Sequence, residues 1–526
     1  MSTIEALFPL LVGVPFCVGL TAFYHAYRKQ EANELLVKLH IFSITTIALL
    51  SGYLTISVFS STALISSGGW LLLDPLSALF LLVLAVVALI TGLYSIGYIG
   101  HEYKHGEFTS MQFSLYYGLF NIFVATMILA LTSNNIIMMW VAIEATTISS
   151  TFLVGIYYQR TSLEAAWKYI MLCSIGIALG LFGTVLTYAN GVAAFDPSVN
   201  AILWTDIRDH AHLLDPQLIQ IAFMFIIVGF GTKMGLFPMH TWLPDAHSEA
   251  PSPVSGLLSA GLLNCALLVI LRHYVVGTEV LGSGFTNTVL IGFGLLSVAF
   301  AALLILVQKD IKRLLAYSSV ENMGLITLAI GLGPLGVFAA MLHVINHSLG
   351  KTLMFCGAGN IMLKYGTRDM SIVKGVVKVA PWTGVMFGCG AMALAGMPPF
   401  NLFISEFLVI CSGIYGEHPL LTIIVLLLLT IVLVGFARMT SKCVFGESPK
   451  EIEQGEFGGF TVVPLVVVFV MMLIMGTSIP SYIISGADLA AQVVVNESSQ
   501  SVLQSLNLPW VTFSNTSDAA TVLSQK

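Results

Sequence analysis

The sequence predicts an all-α polytopic membrane protein with about fourteen transmembrane helices, and three observations carry the prediction. Of 526 residues, 57% are hydrophobic and only 9% charged, where a soluble domain carries roughly 25% charged residues. Apolar runs of bilayer length, ~20 residues as helix, recur along the whole chain. The lysines and arginines sort onto one side of those runs.

The spans fall at 4–24, 36–58, 70–99, 111–132, 134–157, 165–189, 218–237, 253–274, 287–307, 311–333, 335–362, 380–413, 419–437 and 461–484. The stretch MSTIEALFPLLVGVPFCVGL has no basic residue ahead of its apolar run, so it reads as a first spanning helix rather than a cleaved leader. Fourteen spans put both termini on one side. Sixteen of the 21 lysines and arginines, from Arg28 to Lys450, then fall in loops on the other side, against Arg208, Arg272 and Lys526 with the termini. Cytoplasmic loops carry the excess of basic residues. Both termini are therefore expected on the non-cytoplasmic side of a cell inner membrane. One missed helix would mix the two sets.

Two basic residues remain, Lys233 and Lys351, and both lie within spans. A charge near the bilayer centre costs ~2.5–3.5 kcal/mol on insertion scales and marks function by default. The competing reading is a lysine near a helix end, snorkelling to the interface; Lys351 fits it better than Lys233.

Lys233 stands in IIVGFGTKMGLFPMHTWLPDAHSEAPSP (226–253), an apolar run broken at Pro238. A second run, CGAMALAGMPPFNLFISEFLVICSG (389–413), breaks at Pro398 and Pro399 and carries Glu406 beyond the break. The breaks fall in the seventh and twelfth spans. An odd offset of five inserts the two units in opposite orientations, and paired discontinuous helices of this kind point to a midplane site. Proline frees backbone carbonyls, tolerated at that depth only beside protein or water. The chain accordingly divides into N-terminal helices 1–3 (1–110), two inverted five-helix repeats (111–274 and 287–437), a loop with helix 14 (438–485) and a polar C-terminal tail (486–526).

Glu144 sits mid-span in the fifth helix with no local counter-charge, and Lys233 is its expected partner. A protonated, hydrogen-bonded glutamic acid is the alternative. His343, His347 and Lys351 are spaced i, i+4, i+8, on one face of the eleventh span, with Cβ atoms ~5–6 Å apart. Single waters bridging such gaps make a proton relay; satisfied core histidines are the plainer reading. A zinc hydrolase would want HExxH, and Val344 replaces that glutamate.

His240, Asp245, His247 and Glu249 lie between spans on the basic side, as loop architecture with an accessory role, a proton inlet or a subunit contact. Lys309, Asp310, Lys312 and Arg313 read as an orientation signal, with Glu321 deeper in the tenth span. Lys168 opens the sixth span as topology anchor or modulator of Glu144, and Asp74 starts a helix. The seven cysteines form no CxxC pair, which disfavours disulfide, iron–sulfur and zinc-ribbon frameworks. No GxxxxGK[ST] loop occurs, and a net charge of −6 points to no nucleic acid. No cofactor and no metal are expected.

These motifs together resemble the antiporter-like, proton-translocating subunits of respiratory complex I and Mrp-type cation/proton antiporters. The phrases WVAIEATT, LEAAWKY, GTKMGLFPMHTWLPDAHSEAPSPVSGLLSAGLLNCA, DIKRLLAYSSVENMG and PPFNLFISEFL are most similar to component F of hydrogenase-4 and related membrane-bound hydrogenases, over roughly residues 70–440. The resemblance implies that Glu144 and Lys233 form a coupling pair, that His343 and His347 line a central hydrophilic axis, and that Glu406 gates the far half-channel. Complex I relatives often have a lysine in the eighth span, where this chain has Asn264 and Cys265. The long lateral helix of some larger relatives is not expected, which leaves side-by-side packing as the link to neighbours. The implied partners are other membrane subunits and a redox arm carrying metal clusters. Protons are the implied cargo. Cation/proton (Na⁺/H⁺) antiport, inorganic-carbon uptake beside a zinc partner and a passive membrane scaffold are the alternatives.

Overall fold

The computed structural model describes residues 7–28, 34–60, 64–65, 69–448 and 452–495. Lys29, Lys450, Lys526 and the tail beyond 495 lie outside them. The helices in chain order are α1 (Leu7–Tyr27), α2 (Glu34–Ser60), α3 (Pro75–Lys104), α4 (Ser110–Thr132), α5 (Ile136–Val154), α6 (Arg160–Ala194), α7 (Trp204–Asp209), α8 (Pro216–Met234), α9 (Trp242–Glu249) and α10 (Ser252–Leu257). They continue with α11 (Leu263–Leu281), α12 (Ser283–Val307), α13 (Ile311–Ile330), α14 (Pro334–Tyr365), α15 (Val376–Val379), α16 (Pro381–Leu394), α17 (Asn401–Tyr415), α18 (Pro419–Cys443), α19 (Gly459–Thr477) and α20 (Ser481–Val495). The only strands among the described residues are Leu64–Ile65 and Leu72–Leu73, which pair antiparallel.

Helix lies over every predicted span, and eleven helices among the described residues are long and apolar enough to cross a bilayer. The protein is a multi-span α-helical membrane protein on those eleven; the predicted total of fourteen goes beyond them. The predicted spans outside that set are α13, α14 and the broken α16–α17, which carry Glu321, His343 and His347 with Lys351, and Glu406.

Several boundaries move for identifiable reasons. The third helix starts at Pro75, because Asp74 caps it by accepting from the Ser77 amide at 2.9 Å. The seventh stops at Met234 on Gly235, and the twelfth splits into α16 and α17 around Gly396. Those glycines have φ of 84° and 66°, left-handed values that a side chain resists. A cis prolyl peptide follows each, at Phe237–Pro238 and Pro398–Pro399. The eighth span is α10 and α11 joined by a π turn at Leu258–Leu262. The first ten residues of the predicted tail are helix: α20 packs against α3, α11 and α14.

The charge tally counts Arg272 with the loops although it lies inside the span 253–274, and the structure corrects the tally by placing it in the helix. The eighth span runs on to Leu281, and Arg272 is buried within it. Its guanidinium meets Asp74 by two bonds of 2.5 and 2.8 Å and donates to Ser77 Oγ at 2.8 Å. Trp204 lies 4.1 Å beneath the guanidinium and donates its indole N–H to the Arg272 carbonyl at 2.7 Å. A charge taken out of water persists only when paired and hydrogen-bonded, so the cluster staples α3, α7 and α11 together.

The neighbours succeed one another in the same order twice. α4 packs on α5, α5 on α6, α6 on α8 and α8 on α11; α12 likewise packs on α13, α13 on α14, α14 on α17 and α17 on α18. The α6–α8 contact is close because Gly229 is bare: a Cβ there would lie 2.3 Å from the Gly180 nitrogen. α14 sits at the centre, against α3, α10, α13, α16, α17, α19 and α20.

Candidate functional site

The close α6–α8 packing delivers Lys233 to α5 and α6. Its Nζ is fully buried and donates to Thr147 Oγ1 at 2.8 Å and to the Tyr169 hydroxyl at 2.6 Å. The ammonium also lies 4.6 Å from the Tyr169 ring centre and 5.9 Å from that of Trp242, rings that stack on each other. Trp242 is held in place by donating to the Thr232 carbonyl at 2.8 Å, an acceptor freed by the end of α8. The broken helix thus folds α9 back as a lid on its own lysine.

The expected direct pair with Glu144 is not formed. Thr147 stands between them, donating to Glu144 Oε2 at 3.3 Å, while Ser174 donates to Oε1 at 3.2 Å. Glu144 is half-buried on the α5–α6 face. Ser150 extends the chain from Tyr169 at 2.7 Å.

His343, His347 and Lys351 are all buried on α14 but do not bond to one another. Lys351 Nζ donates to the Leu315 carbonyl at 2.9 Å and makes a short contact with Ser318 Oγ. His343 lies 2.9 Å from Asn322 Oδ1 and 2.9 Å from Ser405 Oγ. Asn322 in turn donates to Glu321. Glu321, Asn322, His343 and Ser405 therefore form one line, ending beside Glu406. Neither ring nitrogen of His347 has a partner among the described residues. Glu406 is half-buried and seated against Gly396, where an added Cβ would lie 2.1 Å from Oε2.

The eighth-span substitution is polar rather than charged. Asn264 donates to Ala260 O at 2.7 Å and to Ser348 Oγ at 2.9 Å, and Ser259 meets Ser319 at 2.7 Å. Cys265 makes only a 3.9 Å contact with the Met127 carbonyl. The π turn beside Asn264 is the kind of irregularity that recurs at functional sites.

The HTWLPDAHSEAP segment is clamped between helices. Asp245 takes Arg313 at 2.7 Å and Lys168 at 3.3 Å, so Lys168 serves α9 and its own Glu164 (2.7 Å) rather than Glu144. Arg368, in the α14–α15 loop, contacts Glu249, Asp310 and the Ser248 carbonyl. Burial works against the Arg368 charge, but Asp310 and Glu249 hold its pKa above the ordinary value. His247 stacks on Phe355 at 5.2 Å and its Nδ1 lies 3.2 Å from the Ser255 carbonyl. His240 is buried against Phe237 at the Pro238 break. Lys312, expected as an orientation signal, is fully buried and donates to the Ala250 carbonyl at 2.5 Å.

Sequence reasoning missed Thr147, Tyr169, Ser174, Asn322 and Ser405. Thr147 carried a signal, since i+3 from Glu144 places it on the same helix face. Tyr169 and Ser405 reach partners 64 and 62 residues away, and no local pattern marks that.

Residues 133–433, more than half of the chain, match the family described as NADH:quinone oxidoreductase/Mrp antiporter, TM, and residues 68–109 match the N-terminus of complex I chain 5. A hydrogenase-4 component F homolog of Methylacidiphilum infernorum is 42% identical over 67% of this chain and 74% of its own. Hydrogenase-4 component B of Escherichia coli is 32% identical over 64% of this chain, which spans about half of it (49%). Among solved structures, the archaeal membrane-bound sulfane sulfur reductase superposes with a TM-score of 0.83 at 26% identity, over 94% of this chain and 98% of the other. The Mrp complex of Dietzia shares the fold at a TM-score of 0.82 and 18% identity, over 94% and 98%. With the family match spanning the helices that hold Lys233, His343 and Glu406, and a hydrogenase-4 component F homolog 42% identical over two thirds of the chain, the chain belongs to the NADH:quinone oxidoreductase/Mrp antiporter transmembrane family.

Proposed function

We propose that this chain is a proton-translocating membrane subunit of a redox-driven complex, of the membrane-bound hydrogenase or complex I-like kind. Its partners are other membrane subunits and a redox arm that carries the metal clusters. The basic loops face the cytoplasm, both termini lie outside it, and the two five-helix units are inverted repeats. The matched order of helix neighbours and the two left-handed glycines at the breaks support that repeat.

The observation that carries the proposal is how the buried lysines are held. Among the described residues no carboxylate lies in salt-bridge range of Lys233 or Lys351. Each rests on neutral oxygens, including a hydroxyl of Tyr169 or Ser318. A hydroxyl accepts from an ammonium and donates to an amine. Such a site serves both protonation states without rebuilding. Lys233 exchanges a proton under the control of Glu144 through Thr147, and the line Glu321–Asn322–His343–Ser405 leads towards Glu406.

The energies are commensurate. Moving one charge through ~150 mV needs roughly 3.5 kcal/mol. A hydrogen bond to a charged group is worth ~1.5–3 kcal/mol, so rearranging the two at Lys233 covers one step.

The test is redox-driven pH change in sealed vesicles of the assembled complex, in sodium-free buffer. Proton movement abolished by a protonophore is the expected result. A strict sodium requirement would replace this reading with cation/proton exchange.

A further inference from the structure

A further buried carboxyl without a basic partner is placed apart from the pathway drawn above. Glu102, in the last turn of α3, is 7% exposed, and its two oxygens accept from the Tyr157 hydroxyl at 2.7 and 3.0 Å. Tyr98, one turn earlier on α3, reaches the same hydroxyl at 3.4 Å. A carboxylate at a helix C-terminus opposes the helix dipole, and no arginine or lysine forms an ion pair with it among the described residues. Packing alone would have been served by an apolar side chain.

What faces Glu102 explains the choice. The titratable groups around it are Tyr94 and Tyr98 on its own helix, Tyr157 from the α5–α6 loop, Tyr116 from α4, Glu107 beyond α3 and Lys312 from α13. Tyr157 is half-buried in the α5–α6 loop, and its hydroxyl is turned inward onto the carboxyl. Lys312 opens the stripe of α13 that runs, at helical spacing, through Leu315, Ser318 or Ser319 and Asn322. Of these, the Leu315 carbonyl and Ser318 hold Lys351, and Asn322 holds His343. Lys312 meets both sides through α10: it donates to the Ala250 carbonyl just ahead of α10, and α10 packs on α3, which carries Glu102, and on α14, which carries Lys351.

We infer that Glu102 is the proton-loading carboxyl of the basic face, receiving protons past Tyr157 and passing them through Lys312 into the α13–α14 relay. The inference rests on the proton-translocating reading and names its inlet. No covalent step is involved: a proton moves between the Glu102 carboxyl and the Lys312 amine, one losing what the other gains.

The test measures redox-driven proton uptake by the full complex in sealed vesicles, at equal assembly, for wild type, Glu102→Gln, Glu102→Asp, Tyr157→Phe and Lys233→Ala. Glu102→Gln is expected to slow uptake by about tenfold or more, and Glu102→Asp, which keeps a carboxyl, to recover most of it. Tyr157→Phe is expected to slow uptake and serves if Glu102→Gln fails to assemble. A wild-type rate in Glu102→Gln or in Tyr157→Phe, with uptake lost in Lys233→Ala, overturns the inlet and leaves the subunit's function standing. Equal loss in the Asp and Gln variants assigns Glu102 to packing and also overturns the inlet. Unchanged uptake in Lys233→Ala instead removes the reading beneath it.

Discussion

The Lys233 ammonium meets Glu144 only through Thr147, whose hydroxyl lies 2.8 Å from Nζ and 3.3 Å from the carboxylate. A direct ion pair would fix a proton on the lysine, because opposite charges favour the charged forms. A hydroxyl between them transmits the carboxylate's influence while leaving the lysine free to exchange.

Thr147→Val keeps the shape and deletes the bridge. Losing a hydrogen bond to a charged group costs about 1.5–3 kcal/mol, and 1.36 kcal/mol is about tenfold. Pumping should fall by about tenfold to a hundredfold in assembled complex, with Thr147→Ser close to wild type. Initial rates of vesicle acidification check this. A wild-type rate for the valine variant would mean that Glu144 does not act through this residue.

Breaking the Asp74–Arg272 pair should be a matter of stability. Removing one partner of a buried pair typically costs about 3–5 kcal/mol, whereas replacing both with apolar residues is often neutral. Asp74→Leu or Arg272→Met alone should lower the thermal midpoint of the solubilised complex far more than the double variant. A loss in the double variant equal to the sum of the two single losses would show that the pair contributes nothing as a pair.

Gly396 is predicted to tolerate no side chain while Glu406 remains. Its φ is 66°, and an added Cβ would meet Glu406 Oε2 at 2.1 Å. A residue forced into such a conformation costs of order 1–3 kcal/mol, and here the carboxylate must move as well. Gly396→Ala should lose both thermal stability and pumping, and adding Glu406→Ala should recover the part of the stability lost to the collision but not transport. If the double variant is no more stable than Gly396→Ala, the collision is not what matters.

The parts legible in the sequence were those with a local signature. Apolar length gave helices, and subtraction singled out Lys233 and Lys351, both fully buried within helices. The breaks were legible because glycine and proline declare themselves. The partners were not, since Lys233 finds Tyr169 across the packed backbones of Gly180 and Gly229. Arg272 and Lys312 misled for a shared reason: charges near span ends look like orientation signals, and burial distinguishes them. The short helix α9 also read only as a loop with accessory groups, because the clamps on Asp245 and Glu249 come from α6, α13 and the α14–α15 loop.

The most direct measurement of the central claim is redox-driven proton pumping in membrane vesicles, wild type against Lys233→Ala, at equal assembly of the complex. The account predicts that pumping collapses while the complex remains assembled. Undiminished pumping would contradict it, leaving either a scaffold or a pathway that avoids the broken helix.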